Sequence, residues 1–330
     1  YPSPMPDSYA LFGYPVQHSW SPFIHGLFAR QTGQDMVYRL HETPPEQFRH
    51  DLLEFFFEQN GYGANITLPH KRTAADLVNE LTPRAQRADA VNTVLRRAGE
   101  LIGDNTDGVG LVRDLTQNLQ LQLKSPRILI LGAGGAARGA IGPLLELKPS
   151  TLVIANRTAN RASELAAEFT SLGAVSGAAF DGVEPLEPFD LIINATSASL
   201  KGEVPPIHSG AVDRATACYD MAYGIGETPF TQWARDRGVL KVAQGWGMLV
   251  EQAAEAFFVW RGVRPQTRPV LEALHARAMY LAATANTRSW AARNRAPSAG
   301  CAQSRRAATR ALAAQDCRRT GNRIPAACPA

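Results

Sequence analysis

Cysteine and lysine are both scarce in these 330 residues, and each scarcity excludes something. Three of the four cysteines (Cys301, Cys317, Cys328) lie beyond residue 300, which leaves Cys218 alone in the rest of the chain. A disulfide framework is therefore excluded there, and a reducing cytoplasm is the expected setting. No run of about 18 apolar residues occurs, so no transmembrane helix is expected. The opening residues, YPSPMPDSYALFGYPV, have no basic stretch leading into an apolar one, so they do not read as a signal peptide. They also lack an initiator Met, and the natural start is expected at Met5 or upstream. No histidine and cysteine cluster has metal-ligand spacing, and no metal is expected.

Acid is almost missing from one end. Residues 281–330 hold nine arginines, no lysine and a single acid, Asp316. The other 280 residues carry 25 bases and 29 acids, so the net +4 of the chain hides a body of −4. The basic balance therefore gives no support for nucleic-acid binding. Sixteen residues of this tail are alanine, and only Leu281, Trp290, Leu312 and Ile324 are large and apolar. Such a segment buries too little surface to offset its ordering entropy, and it is expected to be disordered.

What is present is a regular alternation of strand and helix patterns. In the first third, strands are expected at Tyr9–Gly13, Met36–Leu40 and Gly63–Thr67, with a hairpin of Val91–Arg97 and Glu100–Gly103 turning near Ala98-Gly99. Helices are expected at Ser21–Arg30, with Ser21 as N-cap and Pro22 at its first position, and at Pro45–Phe57, Pro69–Leu77 and Asp107–Leu119. Further on, strands at Arg127–Leu131, Leu152–Ala155, Leu191–Asn194, Ala217–Met221 and Leu240–Ala243 alternate with helices at Ala136–Leu147, Asn160–Ser171, Pro229–Arg237 and Met248–Trp260. A last helix is expected at Val270–Tyr280. This pattern predicts an α/β protein: an N-terminal α/β substrate domain (1–106), a Rossmann-type parallel sheet (107–245), and C-terminal helices (about 246–280) that complete the first domain.

The stretch RILILGAGGAARGA, residues 127–140, reads as strand, glycine turn and helix start, the entry to a dinucleotide-binding unit. Gly132 permits the tight turn, and Gly134 lets a pyrophosphate approach the backbone. Ala133, Gly135 and Ala136 complete the turn, and Ala137 is small enough for close helix–strand packing. The next strand ends in Asn156, Arg157 and Thr158, with Arg161 a helical turn later, and no carboxylate is there to repel a 2′-phosphate. Arginine's planar fork suits a phosphate, so NADP is expected over NAD.

The lysine scarcity sharpens one position. Where a positive charge suffices this chain uses arginine, with only five lysines among 34 bases. Arginine cannot release its proton, whereas lysine can. Lys71, following Pro69-His70, therefore suits proton transfer, although a surface charge would account for a lone lysine as well. Asp107 could orient it or could cap the helix it starts, and both roles can hold together. Ser19 and Ser21 flank another helix start, an arrangement suited to a carboxylate.

Nine motifs occur in order: GYPVQHSWSPFIH (13–25), NITLPHK (65–71), AVNT (90–93), GDNTDG (103–108), GAGGAA (132–137), NRT (156–158), NATSASL (194–200), YDMAY (219–223) and GWGMLVEQA (245–253). Together they resemble the shikimate dehydrogenase family over residues 9–275, with Gly26 departing from an asparagine common after the histidine. The resemblance implies reduction of 3-dehydroshikimate to shikimate with NADPH, in the route to chorismate and aromatic amino acids. It implies that Ser19, Ser21 and Tyr223 hold the ring carboxylate, and that Thr67, Asn92, Asp107 and Gln252 bond the ring hydroxyls. Lys71 would exchange the proton, paired with Asp107. The 132–137 loop with Asn156, Arg157, Thr158 and Arg161 would bind NADP(H), and Met221, Gly245 and Met248 would border the nicotinamide. A quinate/shikimate dehydrogenase of broader range and a non-catalytic ligand-binding module remain as alternatives, and a homodimer is left open. Removing the residues after Tyr280 is expected to leave turnover and melting temperature unchanged, checked by assay and calorimetry on the truncated chain.

Overall fold

The computed structural model describes residues 5–183 and 187–294, with side chains described as far as Thr284. Two six-stranded sheets organise it. The first holds β1 (Asp7–Gly13), β2 (Met36–Glu42), β3 (Gly61–Ile66), β4 (Glu80–Leu81), β5 (Thr93–Arg97) and β6 (Glu100–Asp104) in the order β2-β1-β3-β5-β6-β4. β1 runs parallel to β2 and β3, while β5 is antiparallel to both β3 and β6. The β5–β6 hairpin turns through Ala98 (φ 52°) and Gly99 (φ 85°), both left-handed as a tight two-residue turn demands. The helices of this half are α1 (Ser21–Thr32), α2 (Phe48–Phe57), α3 (Lys71–Leu77) and α4 (Pro83–Ala88).

The second sheet is entirely parallel. It holds β7 (Arg127–Leu131), β8 (Thr151–Asn156), β9 (Val175–Ala179), β10 (Leu191–Asn194), β11 (Ala217–Asp220) and β12 (Lys241–Gln244), ordered β12-β11-β10-β7-β8-β9. That is the doubly wound dinucleotide-binding order, with its switch point between β7 and β10. Its central strands β7, β8, β10 and β11 are mostly apolar runs because both faces are covered, whereas the edge strands β9 and β12 are not. Leu111, Ile128, Ile130, Ile141 and Leu144 fill one side; Leu129, Leu131, Ile192, Phe230 and Ala234 fill the other. The helices are α5 (Asp107–Arg113), α6 (Gly135–Leu145), α7 (Ala159–Ala167), α8 (Pro229–Asp236), α9 (Trp246–Arg261) and α10 (Arg268–Asn294). Among the described residues no helix is long and apolar enough to cross a membrane.

α9 returns the chain to the first sheet. Ile24 and Phe28 of α1 pack with Val250, Ala254 and Phe257 of α9 and with Val270 and Leu274. The α9 backbone crosses α5 closely: a Cβ built on Gly110 would lie 2.6 Å from the Gln252 nitrogen.

Several sequence expectations change. The expected single helix 107–119 is α5 followed by a π-helical turn, Asp114–Asn118. β9 and α4 carry no strand or helix expectation: Val175–Ala179 (VSGAA) has only one large apolar residue and forms the sheet edge, and α4 is a six-residue helix. Ser21 does not cap α1: the helix begins at Ser21 itself, and the Ser19 hydroxyl accepts from its N–H at 3.2 Å. The tail expected to be disordered from Leu281 is corrected in part, because α10 continues to Asn294, helped by its alanines; the remainder lies outside the described residues. Gly110→Ala is expected to destabilise the protein by about 1–3 kcal/mol through overpacking at the α5–α9 crossing, measured by urea denaturation.

Candidate active site

Strand register puts the functional loops on matching edges. In the first sheet Asn65 pairs with Thr93 and Thr93 with Asp104, so the segments after β3, before β5 and after β6 emerge together. These segments carry Thr67 and Lys71, Asn92, and Asp107. In the second sheet Leu131 lies beside both Ala155 and Asn194, which gathers the glycine turn and the loops after β8 and β10.

Lys71 opens α3 and Asp107 opens α5, and the lysine Nζ is hydrogen-bonded to the Asp107 carboxylate. Both side chains keep about a quarter of their surface exposed, 28% and 21%. The preceding His70 is buried, donates to the Thr43 carbonyl at 2.7 Å and stacks on Phe48 at 4.2 Å, which fixes the start of α3. Asn92 Nδ2 donates to the other Asp107 oxygen at 2.8 Å. Its Oδ1 accepts from the Thr106 N–H at 2.9 Å and the Thr93 hydroxyl at 2.9 Å. Asn92 also reaches Gln252 Oε1 at 3.4 Å. The N-cap role open to Asp107 is not what is found: Asn105 Oδ1 accepts the Asp107 N–H at 3.1 Å, and the Asp107 carboxylate faces Lys71.

Below these residues lies a cluster of charges. Arg84 grips Asp104 with two bonds of 2.6 Å and donates to Glu255 at 3.0 Å. Arg113 and Arg264 each pair with Glu255 at 2.8 Å. Burial would raise the Asp104 carboxyl, but the Arg84 fork outweighs it and holds the group below its usual value. Glu255 is likewise lowered, with burial outweighed by Arg264, Arg84 and Arg113.

Thr67, Lys71, Asp107, Ala133, Gly134, Gly135, Ala136, Arg161, Met221 and Met248 line a single cleft of about 780 Å³. Of the other expected residues, Asn92 and Gln252 stand behind Asp107. Gly132 makes the turn at φ 105°, donating to the Ala155 carbonyl at 2.7 Å, and Ala137 is fully buried against the sheet. Gly245 lets the backbone pass Met221, whose carbonyl oxygen a Cβ there would meet at 2.3 Å. Arg157 borders a second hollow of about 570 Å³ with Phe180, Ile207 and His208. Asn156 donates to the Thr158 carbonyl at 3.1 Å, and Thr158 precedes α7 without a side-chain cap bond. Ser19 and Ser21, bonded at 3.1 Å, lie off the cleft lining beside Trp20, which meets Trp246, on which Tyr223 packs at 4.7 Å. Two residues of the network carry no expectation: Asn65, which donates to the Thr93 hydroxyl at 3.2 Å and the Asn92 carbonyl at 3.1 Å and stands in the NITLPHK motif, and Tyr38, which donates to Asn65 Oδ1 at 2.7 Å and sits inside an ordinary strand pattern with nothing to distinguish it.

The site accommodates a dinucleotide. Cβ atoms built on Gly134 and Gly135 would meet nothing within 4 Å, and α6 starts there without a side-chain cap, so its first N–H groups face open cleft. Arg157 and Arg161 have no ion pair among the described residues. Those are the features of a phosphate cradle with free cations beside it.

A Rossmann sheet whose phosphate cradle shares a cleft with a paired lysine and carboxylate from a second sheet defines a two-domain, dinucleotide-dependent oxidoreductase. Family models match three consecutive segments: "Shikimate dehydrogenase substrate binding domain" at residues 11–94, "Shikimate / quinate 5-dehydrogenase" at 114–218, and "Shikimate 5'-dehydrogenase C-terminal domain" at 245–275. The shikimate dehydrogenase (NADP(+)) of Methylococcus capsulatus is 53% identical over 272 residues, 82% of this chain and 97% of that protein. That of Aeromonas hydrophila is 55% identical over 269 residues, 81% and 97%. Among solved structures, an Ael1 enzyme from Pseudomonas putida aligns with a TM-score of 0.77 and 44% identity over 81% of this chain and 98% of that one. The Thermus thermophilus shikimate 5-dehydrogenase in complex with NADP(H) and shikimate aligns with a TM-score of 0.71 and 33% identity, over 82% and 99%. The chain belongs to the shikimate dehydrogenase family.

Arg84→Ala is expected to cost about 3 kcal/mol at neutral pH by stranding buried carboxylates. Because both acids are lowered in the folded state, their contribution is present above their ordinary values of 3.8 and 4.5 and is lost as pH falls below them. The gap to the parent protein should therefore narrow on acidification, as followed by denaturation between neutral pH and about pH 3.

Proposed function

We propose that this chain is an NADP-dependent shikimate dehydrogenase that reversibly reduces 3-dehydroshikimate to shikimate, with Lys71 moving the proton at the reacting oxygen. The observation that carries this is the Lys71–Asp107 pair, with Asn92 bonded behind Asp107, facing the same cleft as the uncapped start of α6. The relatives' names and the chain's near-complete coverage of them support the substrate and the cofactor.

The bound cofactor supplies the hydride. Gly134, Gly135 and the α6 N-terminus would hold its pyrophosphate, and Arg157, Thr158 and Arg161 its 2′-phosphate. Met221 and Met248 give the cleft an apolar wall. On the substrate side, Asp107 fixes the Lys71 ammonium while Asn92 fixes Asp107, so the cation is already oriented when negative charge develops on the carbonyl oxygen. Lys71 then gives its proton to that oxygen, and takes it back in the reverse direction. Thr67, Asn92, Asp107 and Gln252 offer hydroxyl, amide and carboxylate groups to a polyhydroxylated ring, and Ser19, Ser21 and Tyr223 receive its carboxylate. The acidic body favours small-molecule work over nucleic-acid binding, and Cys218, the one cysteine among the described residues and buried, suits a reducing cytoplasm.

The test is NADP⁺ reduction with shikimate, with quinate in parallel, on the protein and on Lys71→Ala. Turnover with shikimate is expected, and the variant should lose at least about 100-fold in kcat with a smaller change in KM. Undiminished turnover in the variant would remove Lys71 from the mechanism.

A further inference from the structure

The proton pair and the phosphate cradle approach each other through one backbone contact. Asp107 opens α5, and Gly108 follows it, buried. α6 opens at Gly135 in the cradle, and Gly139 stands about one turn further on. A Cβ built on Gly108 would lie 2.2 Å from the Gly139 carbonyl oxygen and 2.7 Å from Pro143 Cγ. Only a hydrogen fits between the two helices there. The same packing continues along the chain: Leu111 of α5 and Leu115 of the π-helical turn share a core cluster with Ala140, Ile141 and Leu144 of α6.

Pro143 frees this carbonyl. It lies inside α6, four residues after Gly139, and has no N–H to give to the carbonyl four residues back. The Gly139 oxygen therefore lacks its usual helical donor and stands against α5, where the Gly108 Cα–H is a weak donor beside it. The α5 side of the joint is fixed as well. Asn105 Oδ1 accepts the Asp107 N–H at 3.1 Å, and Asn105 Nδ2 donates to the Ala90 carbonyl at 3.0 Å, which ties the turn into α5 to the segment before β5.

We propose that Gly108 is a positioning residue: by letting α5 close on the Gly139 carbonyl, it sets the gap across which the hydride passes between cofactor and substrate. This rests on the function proposed above. The Lys71–Asp107 pair belongs to the α5 side of the joint and the phosphate cradle to the α6 side, so the joint fixes the distance between them. Any side chain at position 108 forces the helices apart by about 1 Å, and a displacement of that size is enough to slow a transfer that needs reacting atoms about 3–3.5 Å apart. Gly108 is absent from the cleft lining, so its effect falls on the chemical step rather than on the binding of either ligand alone.

The test is the single-turnover rate of NADPH oxidation by 3-dehydroshikimate, with NADPH and with NADPH deuterated at the transferred position, on the intact chain and on Gly108→Ala. The rate in the variant should fall about 10- to 100-fold and carry a deuterium isotope effect. Calorimetric Kd values for shikimate alone and for NADP⁺ alone should stay within about threefold, because most groups assigned to each ligand lie on one side of the joint. The pH profile of the rate should keep its shape, because the Lys71–Asp107 bond is undisturbed. Pro143→Ala, which returns a helical donor to the Gly139 carbonyl and suits a helix interior, should lower the rate about threefold. It decides the matter if Gly108→Ala does not fold. Gly61→Ala, whose Cβ would meet the Phe55 ring away from the cleft lining, is the control for overpacking and should lower the melting temperature while leaving the rate per folded molecule unchanged. An undiminished rate per folded molecule in either test variant overturns the proposal, as does a shifted pH profile or a matching loss of binary affinity. Absence of turnover in the parent overturns the proposed function and this inference together, whereas turnover that survives in the variants overturns this inference alone.

Discussion

One buried amide, that of Asn92, ties together the segments that carry the paired lysine and carboxylate. Asn92 sits at the entrance to β5, and its oxygen receives the backbone and side chain of the β6–α5 turn. Its nitrogen reaches Asp107 and, more distantly, Gln252 on α9. Three parts of the chain, more than a hundred residues apart at the extreme, converge on a group that carries no charge. A neutral amide can offer donors and acceptors at once, so it orients a carboxylate without neutralising it. That leaves Asp107 free to hold Lys71.

Charge is handled in two ways within a few residues. Lys71 and Asp107 remain partly exposed, so a substrate can enter the pair's surroundings. Asp104, three positions earlier, is nearly sealed and locked to Arg84, and Glu255, one turn beyond Gln252, is surrounded by three arginines. The sealed cluster joins α4, α5, β6 and α9. It therefore fixes the two elements from which Asp107 and Gln252 project, while the reactive pair above it stays accessible.

The parallel sheet was legible because its strands are buried on both faces and announce themselves as apolar runs between glycine or polar turns. The glycine turn after β7 was legible for the same reason: local chemistry dictates it. Ordered motifs identified the family. Where the reading falls short, the cause is long-range for β9 and Tyr38 and local for Ser21 and the C-terminal segment. β9 is built from small residues and exists because β8 offers it an edge. The role of Ser21 was inverted because serine before proline reads as a cap, whereas Ser19 supplies the acceptor. Tyr38 is unmarked in sequence because its partners, His25 of α1 and Asn65 of β3, are brought beside it only by the fold. The C-terminal segment lacks large apolar residues, which reads as disorder, while its alanine content favours helix and carries α10 to Asn294.

The glycines show that one residue type answers to two different masters. Gly110 is hemmed in by the backbone of α9, whereas Gly134 and Gly135 face nothing within 4 Å in the molecule itself. Drift at the first is policed by the fold, since any larger residue is felt during folding and turnover in the cell. Drift at the other two leaves the native state intact and is policed only by what the cleft must admit. A lineage that abandoned the reaction but kept the protein would be expected to lose Gly134 and Gly135 first and Gly110 last, so the order of their decay dates the loss of catalysis.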